Sequence, residues 1–304
     1  MKLADARKRL PIVDALPRSR SRRVLPRAPG EPRRPRFAVW EITLACDHGC
    51  RHCGPRAGRA RPDELTTEEC LRLVDELAEL GVGEVSLIGG EPYLRADFVL
   101  ILRAIRARGM AASMVTGGLN LTRARAEAAT QAGVQNVSVS IDGLESTHDH
   151  LRARVGSWRR AFAALRELRR AGATISSNTQ INPRTWRELP ALLELLAAEG
   201  VYAWQVQLTS LHGNAADHPE LLLQPYELPA VFESLAALAR RSAALGVKLV
   251  VANSVGYFGP HAHALRHNQN PHGHFLGCQA GVWHVAIESD GMIKSCPSLG
   301  GPSN

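Results

Sequence analysis

At 304 residues the chain has room for one large α/β domain and a smaller appendage. Hydrophobic residues make up 45% and charged residues 22%, and no run of about 18 apolar residues is present to cross a membrane. The formal net charge of +8 suggests a nucleic-acid partner only until it is located: residues 1–36 carry 12 Lys+Arg against 3 Asp+Glu, and the remainder 25 against 26. The body of the chain is therefore not basic.

Residues 1–36 hold six prolines and no sustained apolar period, which predicts a disordered arm. From Phe37 onward, apolar runs alternate with helical patterns. The expected strands are Phe37–Leu44, Glu84–Ile88, Ala112–Val115, Asn136–Ile141, Thr174–Thr179 and Ala203–Leu208. The expected helices are Thr67–Leu80, Asp97–Arg108, Arg123–Ala132, Ser157–Ala171, Thr185–Ala198 and Glu227–Leu245. The first opens on a capping box, Thr66 to Glu69, and most close on a glycine. One helix between each pair of strands means right-handed βαβ crossovers and a parallel sheet, either doubly wound or barrel-like, with its chemistry at the C-terminal strand ends. After Gly246 the texture turns His-, Asn- and Gly-rich, and a hairpin is expected from Val282–Glu288 through Ser289-Asp290-Gly291 to Met292–Ser295.

Cys46, Cys50, Cys53, Cys70, Cys278 and Cys296 are the six cysteines. No apolar signal-like segment follows the N-terminus, so a cytoplasmic location is expected, where clustered cysteines bind metal more often than they pair. Cys70 falls within a helical pattern and reads as a small buried hydrophobe.

Four features carry chemistry. Cys46-Asp-His-Gly-Cys50-Arg-His-Cys53 follows the first strand and puts three thiols on one tight loop. Three thiolates suit an iron–sulfur cubane with one open iron, or a zinc site completed by His48 or His52. The second strand runs into Gly89-Gly90-Glu91-Pro92, whose glycines permit close approach and whose carboxylate suits an ammonium. On the fourth strand Ser140 and Asp142 share a face, with Arg152 following. Cys278 and Cys296 flank the expected hairpin, with His272, His274 and His284 nearby.

The pair CDHGCRHC and GGEP resembles the hallmark of the radical S-adenosylmethionine (SAM) superfamily, over about Phe37 to Leu208. That resemblance implies a partial (β/α)6 TIM-like barrel with a [4Fe–4S] cluster at its mouth. Cys46, Cys50 and Cys53 would ligate three irons and SAM would chelate the fourth. Gly89, Gly90, Glu91 and the adjoining Pro92 would hold the SAM amino group. The fourth strand is similar to that of anaerobic sulfatase-maturating enzymes and related peptide maturases, which implies SAM contacts from Ser140 and Arg152, with Asp142 beside them and Val206 against adenine. Cys278, Gly291 and Cys296 resemble the opening of a SPASM domain, which carries auxiliary iron–sulfur clusters, but its later cysteines are missing here. Pro297 stands where the sulfatase-maturating enzymes place an acidic base, which argues against sulfatase activation.

The expected organisation is thus an arm over 1–36, a core barrel over 37–246 and a truncated SPASM-like segment over 247–304, the start of a small cysteine-bearing hairpin domain. The implied activity is reductive cleavage of SAM to a 5′-deoxyadenosyl radical that abstracts hydrogen from a peptide or protein. A reductant such as flavodoxin or ferredoxin and a precursor peptide are the implied partners, with no membrane and no nucleic acid. A small-molecule substrate, as in the similar molybdopterin-pathway cyclases, is the alternative within the superfamily. Outside it, the alternative is a non-catalytic zinc or iron–sulfur protein that binds nucleic acid through its basic arm.

Overall fold

The computed structural model describes residues 34–256, 259–266 and 278–299. The basic arm up to residue 33, together with His272 and His274, lies outside them. Seven parallel strands run in chain order: β1 (Phe37–Thr43), β2 (Glu84–Gly89), β3 (Ala111–Thr116), β4 (Asn136–Ser140), β5 (Thr174–Ile181), β6 (Ala203–Leu208) and β7 (Lys248–Val251). Each neighbours its successor, with no reversal of order. Without a reversal every right-handed crossover places its helix on the same side, so this is a singly wound, barrel-type sheet and not a doubly wound one.

The helices are α1 (Thr67–Glu79), α2 (Phe98–Ala107), α3 (Arg123–Gln131), α4 (Glu145–Leu151), α5 (Ser157–Arg170), α6 (Leu189–Ala198), α7 (Leu228–Ala244) and the short α8 (Ala262–Arg266). The capping box of α1 forms: Glu69 N–H donates to Thr66 Oγ1, and Thr66 N–H donates to Glu69 Oε2. Two elements are additions to the sequence expectation. The seven-residue α4 is too short for a periodic signal, and the four-residue β7 lies just past Gly246, where the helix-closing glycine masks it.

Alternation along the strands sorts the residues into two layers. Trp40, Leu87, Met114, Val139, Ile175 and Trp204 are buried under the helices. The opposite parity carries many small or polar residues, Ser86, Ser113, Ser138, Ser140, Ser176, Asn178, Gln205 and Gln207, alongside Val39, Ile88 and Val115. This second face is the concave interior of the partial barrel. None of the described helices is long and apolar enough to cross a membrane.

The expected hairpin forms over a shorter span, β8 (His284–Ile287) antiparallel to β9 (Ile293–Lys294). It extends the barrel's own sheet, because β8 pairs parallel with β1 and covers that edge. Glu41 on β1 secures the junction: it pairs with Arg61 at 3.0 Å and accepts from Ser289 Oγ at 3.3 Å.

Candidate functional site at the barrel mouth

The cysteine loop leaves β1 and is tied down at both ends. Glu64 Oε1 accepts from Thr43 Oγ1 at 3.0 Å, Leu44 N at 2.7 Å and Arg61 N at 3.1 Å, closing the excursion. Neighbouring elements hold its middle. Arg51 N donates to Leu151 O at 2.8 Å, while Asn214 N donates to Cys53 O at 2.8 Å and Asn214 Nδ2 to Cys50 O at 2.9 Å. Gly213 is obligatory at that last contact, since a Cβ there would lie 2.1 Å from Gly54 O.

Each of the three loop sulfurs accepts an N–H. Cys46 Sγ takes the amide of His48 at 3.4 Å, Cys53 Sγ that of Ala57 at 3.3 Å, and Cys50 Sγ takes Arg152 Nη1 at 3.6 Å. Cys70 is the contrast: its thiol is buried in α1 and donates to Leu65 O, as a core hydrophobe would. Burial pushes the Cys46 thiol up to about 12 and the Cys50 thiol to about 11, and raises Cys53 as well. These thiols thus stay protonated unless a cationic centre displaces their protons, which is the chemistry of a metal-cluster donor set.

All three cysteines line one cavity of about 170 Å³ with Gly89, Gly90, Glu91, Ser140 and Arg152. The two glycines also serve a second purpose. A Cβ on Gly89 would meet Thr43 O at 2.2 Å and one on Gly90 would meet Ala45 O at 2.1 Å. Their close approach is to the chain's own backbone, with Gly90 N donating to Thr43 O and Glu91 N to Ala45 O at 2.8 and 2.7 Å. The GGEP turn is welded to the root of the cysteine loop, and Pro92 is buried behind it at the start of a 3₁₀ turn.

Glu91 is almost fully buried; Thr116 Oγ1 and Gly117 N each donate to it at 2.5 Å. Burial pushes its carboxyl up to about 8, so an ammonium beside it would restore the charged form. Asp47 stands close by, within 4.8 Å of both Cys46 and Glu91, and accepts from Tyr93 Oη at 2.8 Å.

Ser140 and Arg152 lie on the cavity wall, whereas Asp142 and Val206 do not. Asp142 is turned inward, 2.7 Å from Arg152 Nη2 and 3.1 Å from His52 Nε2, and Oδ1 accepts from Gln180 N at 2.8 Å. Burial opposes its ionisation, but Arg152 and His52 hold its carboxyl well below the usual range. Val206 has the wrong parity: it pairs with Thr179 on the helix-covered face and is fully buried in the core. The interior positions of β6 are Gln205 and Gln207, opposite Asn178 and Gln180.

Residues absent from the sequence expectation complete the wall: Thr116 at the end of β3 with Gly117 after it, and Asn178 and Gln180 on β5. Asn178 Oδ1 accepts from Ser138 Oγ and Ser140 Oγ at 3.1 and 3.2 Å. The run Ser176-Ser177-Asn178-Thr179-Gln180 was the available signal: five successive polar residues near a strand's C-terminal end mark that end as a site, but not which of them face the interior. His48 also lines the cavity, with both ring nitrogens buried and lacking hydrogen-bond partners; burial lowers it to about 4 and keeps it neutral.

The C-terminal cysteines are arranged otherwise. Cys278 is exposed, and the Cys296 sulfur accepts from Ser298 N at 3.4 Å, two residues on in its own turn. Their segments do meet, since a Cβ on Gly281 would lie 3.0 Å from Ser295 Cβ. His284 packs edge-on against Phe37. Among the described residues, Cys46, Asp47 and Glu91 form the one group of three ligand-type side chains close enough to share an ion.

Three thiols at the mouth of a parallel, barrel-type sheet form a candidate metal-cluster site, and the comparisons name the family. The sequence model of the radical SAM superfamily matches residues 40–196, and the chain belongs to that superfamily, whose cofactors are a [4Fe–4S] cluster and SAM. An AdoMet-dependent heme synthase of Methanosarcina barkeri is 34% identical over 195 residues, 64% of this chain and 56% of the relative. The sporulation killing factor maturation protein SkfB of Bacillus subtilis is 27% identical over 183 residues, 60% of this chain and 45% of the relative. Streptococcus suis SuiB, solved bound to SAM and also to the precursor peptide SuiA, superposes with a TM-score of 0.67 at 16% identity. Those superpositions cover 86% and 87% of this chain and 60% of SuiB. The chain spans about half the length of the curated relatives it matches.

Proposed function

We propose that Cys46, Cys50 and Cys53 hold a [4Fe–4S] cluster at the barrel mouth and that SAM lies beside it, for hydrogen abstraction from a peptide. The observation that carries this is the single cavity lined jointly by the three N–H-bonded sulfurs and the Gly89-Gly90-Glu91 turn. When bound, the cluster and SAM together supply one-electron reductive cleavage of the sulfonium. The chain's residues bind and orient. Glu91 offers its carboxylate to the SAM ammonium, and the turn bearing it cannot drift, because the glycines seat it on Thr43 and Ala45. Arg152 offers a cation to the methionine carboxylate, and Ser140 with Asn178 offers polar contacts to the ribose. Val206 takes no part, given its parity, and Asp142 acts behind the wall.

The peptide substrate is supported by the maturases among the relatives and by the fold shared with SuiB. A second reading, a tetrapyrrole or other small molecule, has support in the 34% identity to a heme synthase. The division into arm, core barrel and SPASM-like segment stands as part of this proposal. With it go a cytoplasmic location, which suits free thiols, and a one-electron carrier such as flavodoxin or ferredoxin. The test is anaerobic reconstitution with iron and sulfide, followed by reduction in the presence of SAM. Broad iron–sulfur absorption and release of 5′-deoxyadenosine are expected; bound zinc without iron or deoxyadenosine would sink the proposal.

A further inference from the structure

Two of the three loop sulfurs accept backbone amides, Cys46 from His48 and Cys53 from Ala57. The third does not. Cys50 accepts from the guanidinium of Arg152, a fully charged donor delivered by a side chain at the end of α4. We propose that Arg152, locked in place by Asp142, is the residue that sets the reduction potential of the cluster through Cys50. This rests on the reading that Cys50 is a cluster ligand.

The argument begins with orientation. The guanidinium is a planar fork, so fixing one prong aims the other. Nη2 lies 2.7 Å from Asp142 Oδ2 while Nη1 reaches Cys50 Sγ at 3.6 Å. Asp142 is itself anchored from two further elements, by Gln180 N on β5 at 2.8 Å and by His52 Nε2 of the cysteine loop at 3.1 Å. Asp142 is 1% exposed and Arg152 9%, so little water screens the pair. A reduced cluster carries one more negative charge than an oxidised one. A cationic N–H on a ligand sulfur stabilises the reduced form more, and hydrogen bonds to sulfur are a recognised lever on cluster potential. Asp142 offsets part of that cation, so the two side chains act with opposite sign on the same sulfur.

The sign is what the experiment reads. Full-length protein is reconstituted, and its cluster titrated by EPR against redox mediators without SAM, which separates this role from any contact of Arg152 with SAM. R152Q should move the midpoint to a more negative potential, lowering the reduced-to-oxidised ratio at fixed poise by about tenfold, equivalent to about 59 mV for one electron. D142N leaves the guanidinium uncompensated and should move the midpoint the other way. R152K keeps the charge but not the fork, and should fall between wild type and R152Q. An unchanged midpoint in both R152Q and R152K, or shifts of one sign in R152Q and D142N, would overturn the proposal. If R152Q takes up no iron, an R152K midpoint equal to wild type overturns it alone. A wild-type protein that takes up no cluster at all refutes the reading of the cysteine loop instead.

Discussion

The barrel mouth and the C-terminal hairpin both carry cysteines beside a tight turn, yet only one is equipped as a site. At the mouth, three sulfurs each have an N–H donor, line one cavity and are held by segments from β1, α4 and the loop after β6. At the hairpin, Cys278 is exposed and the Cys296 sulfur takes the amide of Ser298, in its own turn. The difference lies in what surrounds the thiols. Strand ends that converge provide burial, donors and a neighbouring carboxylate together, whereas Cys278 and Cys296 flank a hairpin at the sheet edge, away from that convergence.

The largest expected effect tests that contrast directly. Changing Cys46, Cys50 and Cys53 together to Ala should abolish iron–sulfur absorption and 5′-deoxyadenosine formation. Changing Cys278 and Cys296 together to Ser should leave both nearly unchanged in the absence of substrate. A stable second cluster surviving in the triple variant, measured by iron content and EPR, would show that the hairpin is a site in its own right.

Glycines sharpen the comparison at intermediate size. G90A drives a Cβ to 2.1 Å from Ala45 O, a backbone atom pinned by the weld itself, and should cost about 1–3 kcal/mol with loss of SAM affinity. G281A meets only Ser295 Cβ at 3.0 Å and adds the strain of a positive φ, about 1 kcal/mol, with SAM affinity retained. Urea midpoints and calorimetric SAM titrations of the two variants decide this, and equal loss of SAM binding would contradict the mouth-specific role of Gly90.

The smallest effect concerns the rim of the mouth. The Asp149 carboxylate accepts from Gly156 N, Ser157 Oγ and Trp158 N at 2.6, 3.0 and 2.9 Å, capping α5. Partial burial works against the charge, but these donors leave its carboxyl below the ordinary 3.8. A lowered carboxyl stabilises the fold above the unfolded value and loses that contribution as pH falls through the folded one. D149A should therefore be about 1 kcal/mol less stable at pH 7, and the gap should begin to close as pH falls below the ordinary 3.8. Urea midpoints of the iron-free protein measure it; a gap independent of pH would mean the carboxylate charge plays no part.

Much of this was legible beforehand. The strand–helix alternation located all six expected strands within a few residues, because an apolar run between turn formers is a local signal. The cysteine loop and the GGEP turn were legible as a pair for the same reason, since each is a contiguous motif. β7 and α4 escaped because four and seven residues are too few to show a period. Val206 was misplaced because periodicity says which residues share a face, not which face is inside.

By itself, then, the sequence determined the thiol count, the spacing within the loop, the succession of strands and helices along the chain and the carboxylate at the end of the second strand. Tertiary structure decided what those groups meet. It turned Asp142 away from the cavity into a clamp on His52 and Arg152, used Gly89 and Gly90 against Thr43 and Ala45, and brought Asn178 and Gln180 to the wall. The physical reason is range. Alternation, capping and motif spacing act over a few residues, whereas a buried ion pair or a 2.1 Å steric limit depends on segments that only the closed sheet places side by side.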